Sequence, residues 1–196
     1  MKRLLFVAFM LFVLWKLTAG SDEVILGPGI RAEHAPLQTE VKQQKPFLFK
    51  DFHVKPLADF QLKGKILSKE HYFLGNDSEL SPVDLVLGWG QMSDEAVLQS
   101  IDISQSGRWY YWTTRDFPIP RRAIETQSAN MHMIPANDMV EDKIKRAKQG
   151  QIIELEGYLV RVEGNDNWYW QSSLSRDDAG SGACELIFVT QFQIIE

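Results

Sequence analysis

The sequence has one cysteine, four histidines and fewer basic than acidic residues. A single cysteine excludes an intrachain disulfide, so we expect the fold to depend on its hydrophobic core. No cysteine follows the apolar N-terminal run, which excludes a lipoprotein anchor at that point. The histidines are widely scattered, and this spacing does not indicate a metal centre. The sequence therefore predicts neither a metal site nor a cofactor.

Acidic residues are also absent from residues 1–20, where Lys2 and Arg3 precede an apolar run, Leu4–Trp15. Basic residues before an apolar run are typical of a segment that directs export through a membrane. We expect residues 1–20 to be a transmembrane anchor or a signal peptide, and we expect contact with the membrane through residues 4–20.

Two fates of this segment remain open. The apolar run is shorter than the roughly 20 residues that span hydrocarbon, which favours a cleaved signal peptide. Trp15 and Lys16 follow the pattern of interfacial anchors, which favours an uncleaved span. We place the uncleaved anchor slightly ahead, and either fate exports the rest of the chain.

The exported part is acidic. Removing residues 1–20 takes away three of the 21 basic residues and none of the 26 acidic ones, which leaves a formal charge of −8. Nucleic acids and anionic headgroups bind through clustered lysine and arginine, so this balance argues against both as the main partner. We expect no nucleic-acid partner, and another envelope protein is the class of macromolecular partner that remains.

Prolines at eight- to ten-residue intervals mark residues 21–56 as a separate segment. Each proline breaks helical continuation and favours extended backbone before it. This segment is predicted to be a tether that holds the domain away from the membrane, or an edge segment that lies along it. The remaining residues, 57–196, are predicted to form one periplasmic domain.

Two segments of this domain, Phe60–Ile66 and Ile153–Leu159, alternate apolar and polar residues and carry a glycine at the same position. Alternation with a period of two predicts strands with one buried face. A glycine inside a strand indicates a bend or bulge, and we expect a bulge after Gly157. Strongly coiled strands of this kind are typical of small barrels such as the OB-fold.

Two helices are predicted. Ser93 is the expected N-cap of one that extends to about Ser100, and Asn137 is the expected N-cap of a second that ends before Gly150. The predicted fold class is α+β, a mostly antiparallel curved sheet or small OB-like barrel with two short helices after an N-terminal transmembrane or signal helix. Aromatic and alternating residues predict three further strands, Arg108–Thr114, Trp168–Ser172 and Cys184–Ile194.

The loop Ser172–Gly182 is a first candidate site. It contains more hydroxyl and carboxylate groups than a tight hairpin requires, and Arg176, Asp177 and Asp178 are candidate ligand-binding residues. Asparagine- and aspartate-rich turns also occur in solvated hairpins without a ligand, and we favour this alternative.

His132 is a second candidate, since alternation places it on the strand face opposite Met131 and Met133. As a general base it would require a partner, and Cys184 or Asp177 are the candidates. His132 and Cys184 are therefore candidate catalytic residues. A buried, hydrogen-bonded structural histidine is the alternative that we favour.

Aromatic residues on both faces of two predicted strands form a third candidate. We take Trp109 from one strand and Trp168 from the other as candidate ligand-binding residues, because exposed aromatic rings stack on sugars or form protein-binding patches. Packing of the aromatics into the core is the alternative that we favour.

Three segments carry a resemblance: Ile103–Tyr110, Ser128–Ala136 and Ser172–Asp177 with Gly182–Glu185. Over residues 56–194 the chain resembles uncharacterised bacterial envelope proteins with one N-terminal transmembrane segment. The resemblance implies a single-pass protein of the bacterial inner membrane with its C-terminal domain in the periplasm. Cleavage would instead give a soluble periplasmic or secreted protein. The resemblance implies no activity.

Two classes of function follow from these features. The first is a membrane-anchored envelope protein that acts as a binding or adaptor module. The second is a periplasmic hydrolase that uses His132 with Asp177 and Asp178, or with Cys184. Whether the protein is an enzyme is left open by the sequence.

Overall fold

The computed structural model describes residues 23–42, 44–165, 167–175 and 184–196, except for the side chain of Asn76. These residues form a mostly-sheet α+β fold with a mixed sheet and four short α-helices. The strands are β1 (Leu37–Thr39), β2 (Phe47–Phe49), β3 (Phe52–His71), β4 (Val83–Gly88), β5 (Asp102–Ser106), β6 (Trp109–Thr113), β7 (Ser128–Pro135), β8 (Ile152–Glu163), β9 (Tyr169–Gln171) and β10 (Glu185–Ile194). The helices are α1 (Asn76–Leu80), α2 (Glu95–Leu98), α3 (Arg121–Thr126) and α4 (Asp138–Arg146), with a 3₁₀ helix at Gly90–Ser93.

Five strands close into a ring by hydrogen bonding. β3 pairs with β4, β4 with β7, β7 with β10, β10 with β8, and β8 returns to β3. Only the β7–β10 pair is parallel among these five. The α4 helix connects β7 to β8, and the β5–β6 hairpin lies between β4 and β7 in sequence.

The interior of the ring is filled by apolar side chains from all five strands. Met131 and Met133 point into this core, as the alternation around His132 predicts. Because successive side chains of a strand point to opposite faces, the residues between the core positions lie on the outside of the ring. Representative interior residues are Phe60, Leu85, Met131, Leu155 and Ile187.

Three register shifts curve the ring. One lies in β3 between Ile66 and Ser68, opposite β4, and the other two lie on the partners of β8. Of these two, one falls in β3 between Pro56 and Ala58, and the other in β10 between Val189 and Gln191. The bulge expected after Gly157 is therefore on the neighbouring strands and not in β8. A β-carbon at Gly157 would overlap the carbonyl oxygen of Phe188, so the glycine serves the close approach of two backbones.

The helix predictions are partly right. Asn137 caps α4, since its side-chain oxygen accepts the Val140 N–H at 3.1 Å. The first predicted helix begins one residue later than expected, because Asp94 and not Ser93 accepts the N–H group of Ala96. The expectation of two short helices is wrong, since the described residues contain four. α1 and α3 are too short to show an apolar period in the sequence.

Residues 23–56, the part of the proline-rich segment that is described apart from residue 43, lie along the body. The Val24 N–H donates to the Gln149 carbonyl at 2.8 Å, and the Gly29 N–H donates to the Asp94 carboxylate at 2.8 Å. β1 and β2 both pair with β3, so the predicted boundary at residue 56 falls within a strand. No helix within the described ranges is long and apolar enough to cross a membrane, and the predicted membrane segment, residues 4–20, lies outside those ranges.

Candidate functional site

The candidate site begins on the outer face of β4 and β7. Asp84 and His132 are direct cross-strand partners in the antiparallel register, which places their side chains side by side. Asp84 is fully buried and His132 is 3% exposed, although both point away from the ring interior. They are buried because the β5–β6 hairpin and β9 cover this face, where His132 packs against Trp170 with ring centroids 4.6 Å apart.

The tip of the β5–β6 hairpin reaches this pair. Gly107 and Arg108 form its two-residue turn, and both have positive φ, 59° and 72° respectively. Positive φ at both positions is the geometry of a type I′ turn, in which a residue other than glycine, asparagine or aspartate is strained. Two contacts hold the turn: the Arg108 N–H donates to the Tyr72 hydroxyl at 3.0 Å, and the Asn130 amide donates to the Arg108 carbonyl at 2.9 Å.

The guanidinium of Arg108 is paired with two carboxylates. Its Nη1 donates to Asp84 Oδ1 at 2.7 Å and its Nε donates to Asp77 Oδ2 at 3.2 Å. The group also stacks on the Tyr72 ring at 3.7 Å from its centroid and lies 5.4 Å from the centroid of Trp170. Burial, followed by the negative charge of Asp84, raises the pKa of Tyr72, so its hydroxyl stays protonated at neutral pH.

The second oxygen of Asp84 orients His132. Asp84 Oδ2 and His132 Nδ1 are both buried and lie 2.8 Å apart, an ion-pair distance, although the contact does not have hydrogen-bond geometry. Since a carboxylate accepts, Nδ1 carries the ring proton, and in the neutral ring Nε2 is left as an acceptor. Among the described residues Nε2 has no hydrogen-bond partner, and His132 lines a pocket.

This pocket has a volume of about 1060 Å³, and aromatic side chains form much of its wall. Trp168 packs against Phe52 with ring centroids 5.9 Å apart, and it also lies against the backbone at Gly164. Its backbone is fixed by hydrogen bonds to Gly164 and Asn165. With 38% of Trp168 still exposed, the pocket wall presents an aromatic surface that is already positioned.

The structure brings four of the candidate residues to one place. His132, Cys184, Trp109 and Trp168 all line the pocket. Cys184 is half-buried, with its sulfur 4.0 Å from the Asn130 amide nitrogen. The three remaining candidates, Arg176, Asp177 and Asp178, lie outside the described residues.

The expectation that the aromatic strands pack into the core is only half right. Tyr110 and Trp112 pack against a satellite core outside the ring. Trp109 and Tyr111, on the opposite face of β6, are 39% and 53% exposed. The hairpin has only one covered face, so the aromatics of its other face remain in contact with solvent.

Sequence reasoning missed Asp84 and Arg108, which hold the site together. The single acidic residue in the otherwise apolar run Val83–Leu87 indicates a polar site, because a buried carboxylate requires a partner. Gly107 and Arg108, between two alternating strands, carry the signal of a hairpin turn. Neither signal names the partner, since Asp84, Arg108 and His132 belong to three separate parts of the sequence.

Within the described part of the chain, no group of three or more histidine, cysteine, aspartate or glutamate residues is placed to hold a metal ion. Comparisons with protein-family models, curated proteins and solved structures found no match.

Proposed function

We propose that the protein is an exported, membrane-anchored envelope protein whose OB-like barrel is a binding module. The observation that carries this proposal is the positioned aromatic pocket around Trp168 and His132. It supports binding because ligand sites are concave, largely preformed and lined by aromatic groups with a few polar ones.

The position of the pocket on the barrel also supports binding. OB-folds are five-stranded barrels that bind ligands on the face of their second and third strands, between the loop after strand one and the loop before strand five. The corresponding strands here are β4 and β7, which carry Asp84 and His132. The corresponding loops supply Asp77 from one side and Trp168 from the other.

Location and binding require separate experiments. For location, intact-mass measurement of the membrane and soluble fractions is expected to find residues 1–20 retained in the membrane fraction. A mature chain that lacks these residues in the soluble fraction would contradict the anchor.

For binding, tryptophan indole signals of the full chain are recorded by NMR during titration with mixtures of small polar compounds. We expect the Trp168 signal to shift. Phe73→Ala, which removes an exposed aromatic outside the pocket, is expected to leave the response unchanged. Absence of any shift at Trp168 across all mixtures would contradict a binding module at this pocket.

The Asp84–His132 pair favours a second candidate function, a periplasmic hydrolase. A carboxylate that orients Nδ1 leaves Nε2 to accept a proton from a water molecule or from the Cys184 thiol. The expected result is slow hydrolysis of p-nitrophenyl esters or thioesters that His132→Gln abolishes. Loss with Cys184→Ser would assign a covalent route, and full activity in His132→Gln would eliminate this candidate.

A further inference from the structure

We infer that the pocket around Trp168 takes a ligand that carries a positive charge, an ammonium or guanidinium group. This inference rests on the proposed function, because it names the class of ligand for the same pocket. Four features of the pocket carry it: unpaired carboxylates, an acceptor on a buried histidine, a positioned aromatic wall and an arginine whose charge is already balanced.

The unpaired carboxylates belong to Asp51 and Glu79, which line the pocket. Both residues are exposed, and neither side chain has an ion-pair partner among the described residues. The neighbouring amine of Lys50 donates to the backbone carbonyl of Glu79 and not to its carboxylate. Two negative charges on the pocket are thus left for a ligand.

The acceptor is Nε2 of His132, which reaches the pocket from a side chain that is 97% buried. The Asp84 carboxylate oxygen 2.8 Å from Nδ1 favours the tautomer with its proton on Nδ1, in which Nε2 accepts a hydrogen bond. An ammonium or guanidinium group supplies only donors, which match the Nε2 acceptor and the free carboxylates, while Arg108 Nη2 is an unpartnered donor of the same pocket.

The aromatic wall complements a cation as well. The faces of tryptophan and tyrosine rings carry negative potential and attract a cation within about 6 Å of the centroid. Trp168 is braced from one side by Phe52 and Gly164 and keeps 38% of its surface exposed, so little ordering is required when a ligand stacks on it.

Arg108, which also lines the pocket, does not make the net charge of the pocket positive. Its guanidinium is paired with both Asp84 and Asp77. The charges of Arg108 and these two carboxylates sum to −1, and Asp51 and Glu79 add two further negative charges. With the Lys50 ammonium next to Glu79, these groups sum to −2 among the described residues, so an anionic ligand would enter a negative field.

The cationic group has two possible sources, a lysine or arginine side chain of an envelope peptide or a free polyamine. Calorimetric titration of the full chain in detergent at low ionic strength distinguishes them, with trilysine and spermidine as probes. Chitotriose and inorganic phosphate serve as the neutral and anionic probes. We expect trilysine, spermidine or both to bind, and binding of only one identifies the source.

Variants test whether such binding occurs in this pocket. Asp51→Asn and Glu79→Gln are each expected to weaken binding about two- to fivefold, the range for exposed charge pairs. Trp168→Ala is expected to weaken it about tenfold, while Trp168→Phe retains most of the affinity. Asp102→Asn and Glu40→Gln remove the same charge away from the pocket and are expected to bind like the wild type.

Three results would overturn the inference. If chitotriose or phosphate binds in a Trp168-dependent way and neither amine does, the pocket is a binding site for another class, and the proposed function stands. If the amines bind equally well to the pocket and control variants, the cation is held elsewhere on the acidic surface. If no probe of any class binds or shifts the Trp168 indole signal, both this inference and the binding module fail.

Discussion

Replacing Asp84 with alanine tests whether the site is held by its buried carboxylate. Asp84 is fully buried and contacts both Arg108 at 2.7 Å and His132 at 2.8 Å. Removing one partner of a buried ion pair costs roughly 3–5 kcal/mol, because the other charge stays buried without compensation. Arg108 is 15% exposed and keeps its contact with Asp77, so we expect a loss near the lower value, about 3 kcal/mol.

Asp77→Ala is the matched control. It removes a carboxylate from the same guanidinium, but the Asp77 side chain is 42% exposed. An exposed pair contributes roughly 0.2–1 kcal/mol, so the control is expected to lose less than about 1 kcal/mol. Asp84→Ala combined with Arg108→Met removes both buried charges and is expected to recover part of the loss.

Urea unfolding of the full chain, followed by tryptophan fluorescence, measures these free energies. The reasoning would be refuted if Asp84→Ala and Asp77→Ala cost the same, or if Asp84→Ala cost less than about 1 kcal/mol. Either result would mean that solvent reaches the Asp84 carboxylate and that its contacts with Arg108 and His132 are weak.

Three further predictions concern the barrel and its attached segment. Gly157→Ala is expected to cost about 3 kcal/mol in urea unfolding because its β-carbon meets the β10 backbone, whereas Gly64→Ala, with its nearest atom at 3.4 Å, is expected to be tolerated. Hydrogen bonds from the backbone N–H groups of Gly29 and Ala96 lower the pKa of the Asp94 carboxyl from 3.8. The stability that Asp94 contributes is therefore present above pH 3.8 and is lost as the pH falls through the lower pKa of the folded state. We expect the free energy of unfolding below pH 3.8 to depend less on pH in Asp94→Asn than in the wild type. Lys65→Met leaves Glu95, whose side chain is 13% exposed, without its ion-pair partner and is expected to destabilise the fold by about 3 kcal/mol. The double variant Lys65→Met with Glu95→Gln is expected to restore most of this loss. Equal losses in the single and the double variant would contradict a buried ion pair.

Local features of the fold were predictable because the sequence states them directly. Met131 and Met133 enter the core on one side of the strand and His132 leaves it on the other, as alternation requires. Asn137 caps its helix because a short polar side chain before an apolar stripe satisfies the first free N–H groups. These features depend only on neighbours along the chain.

The predictions that failed concern features that depend on pairing between distant segments of the chain. Two of the three bulges that curve the ring lie opposite β8 on other strands, so the sequence around Gly157 does not locate them. The partner of His132 is Asp84, which the register of β4 against β7 brings alongside it. The sequence contains both residues, but only the three-dimensional pairing selects Asp84 over the candidate Cys184, while the candidate Asp177 lies outside the described residues.

The attachment of Val24 to Gln149 has a consequence for the proposed anchored form. Six residues separate Leu17, the last strongly apolar residue of the N-terminal run, from Val24, and an extended chain of that length reaches about 20 Å. In the proposed anchored form, this short connection would hold the domain near the bilayer surface. β8 starts at Ile152, close to this attachment, and ends at Glu163 beside the pocket, a path of about 35 Å along the strand. In the proposed anchored form the pocket would thus lie about 35 Å along β8 from the membrane connection, and a ligand would reach it from the aqueous phase.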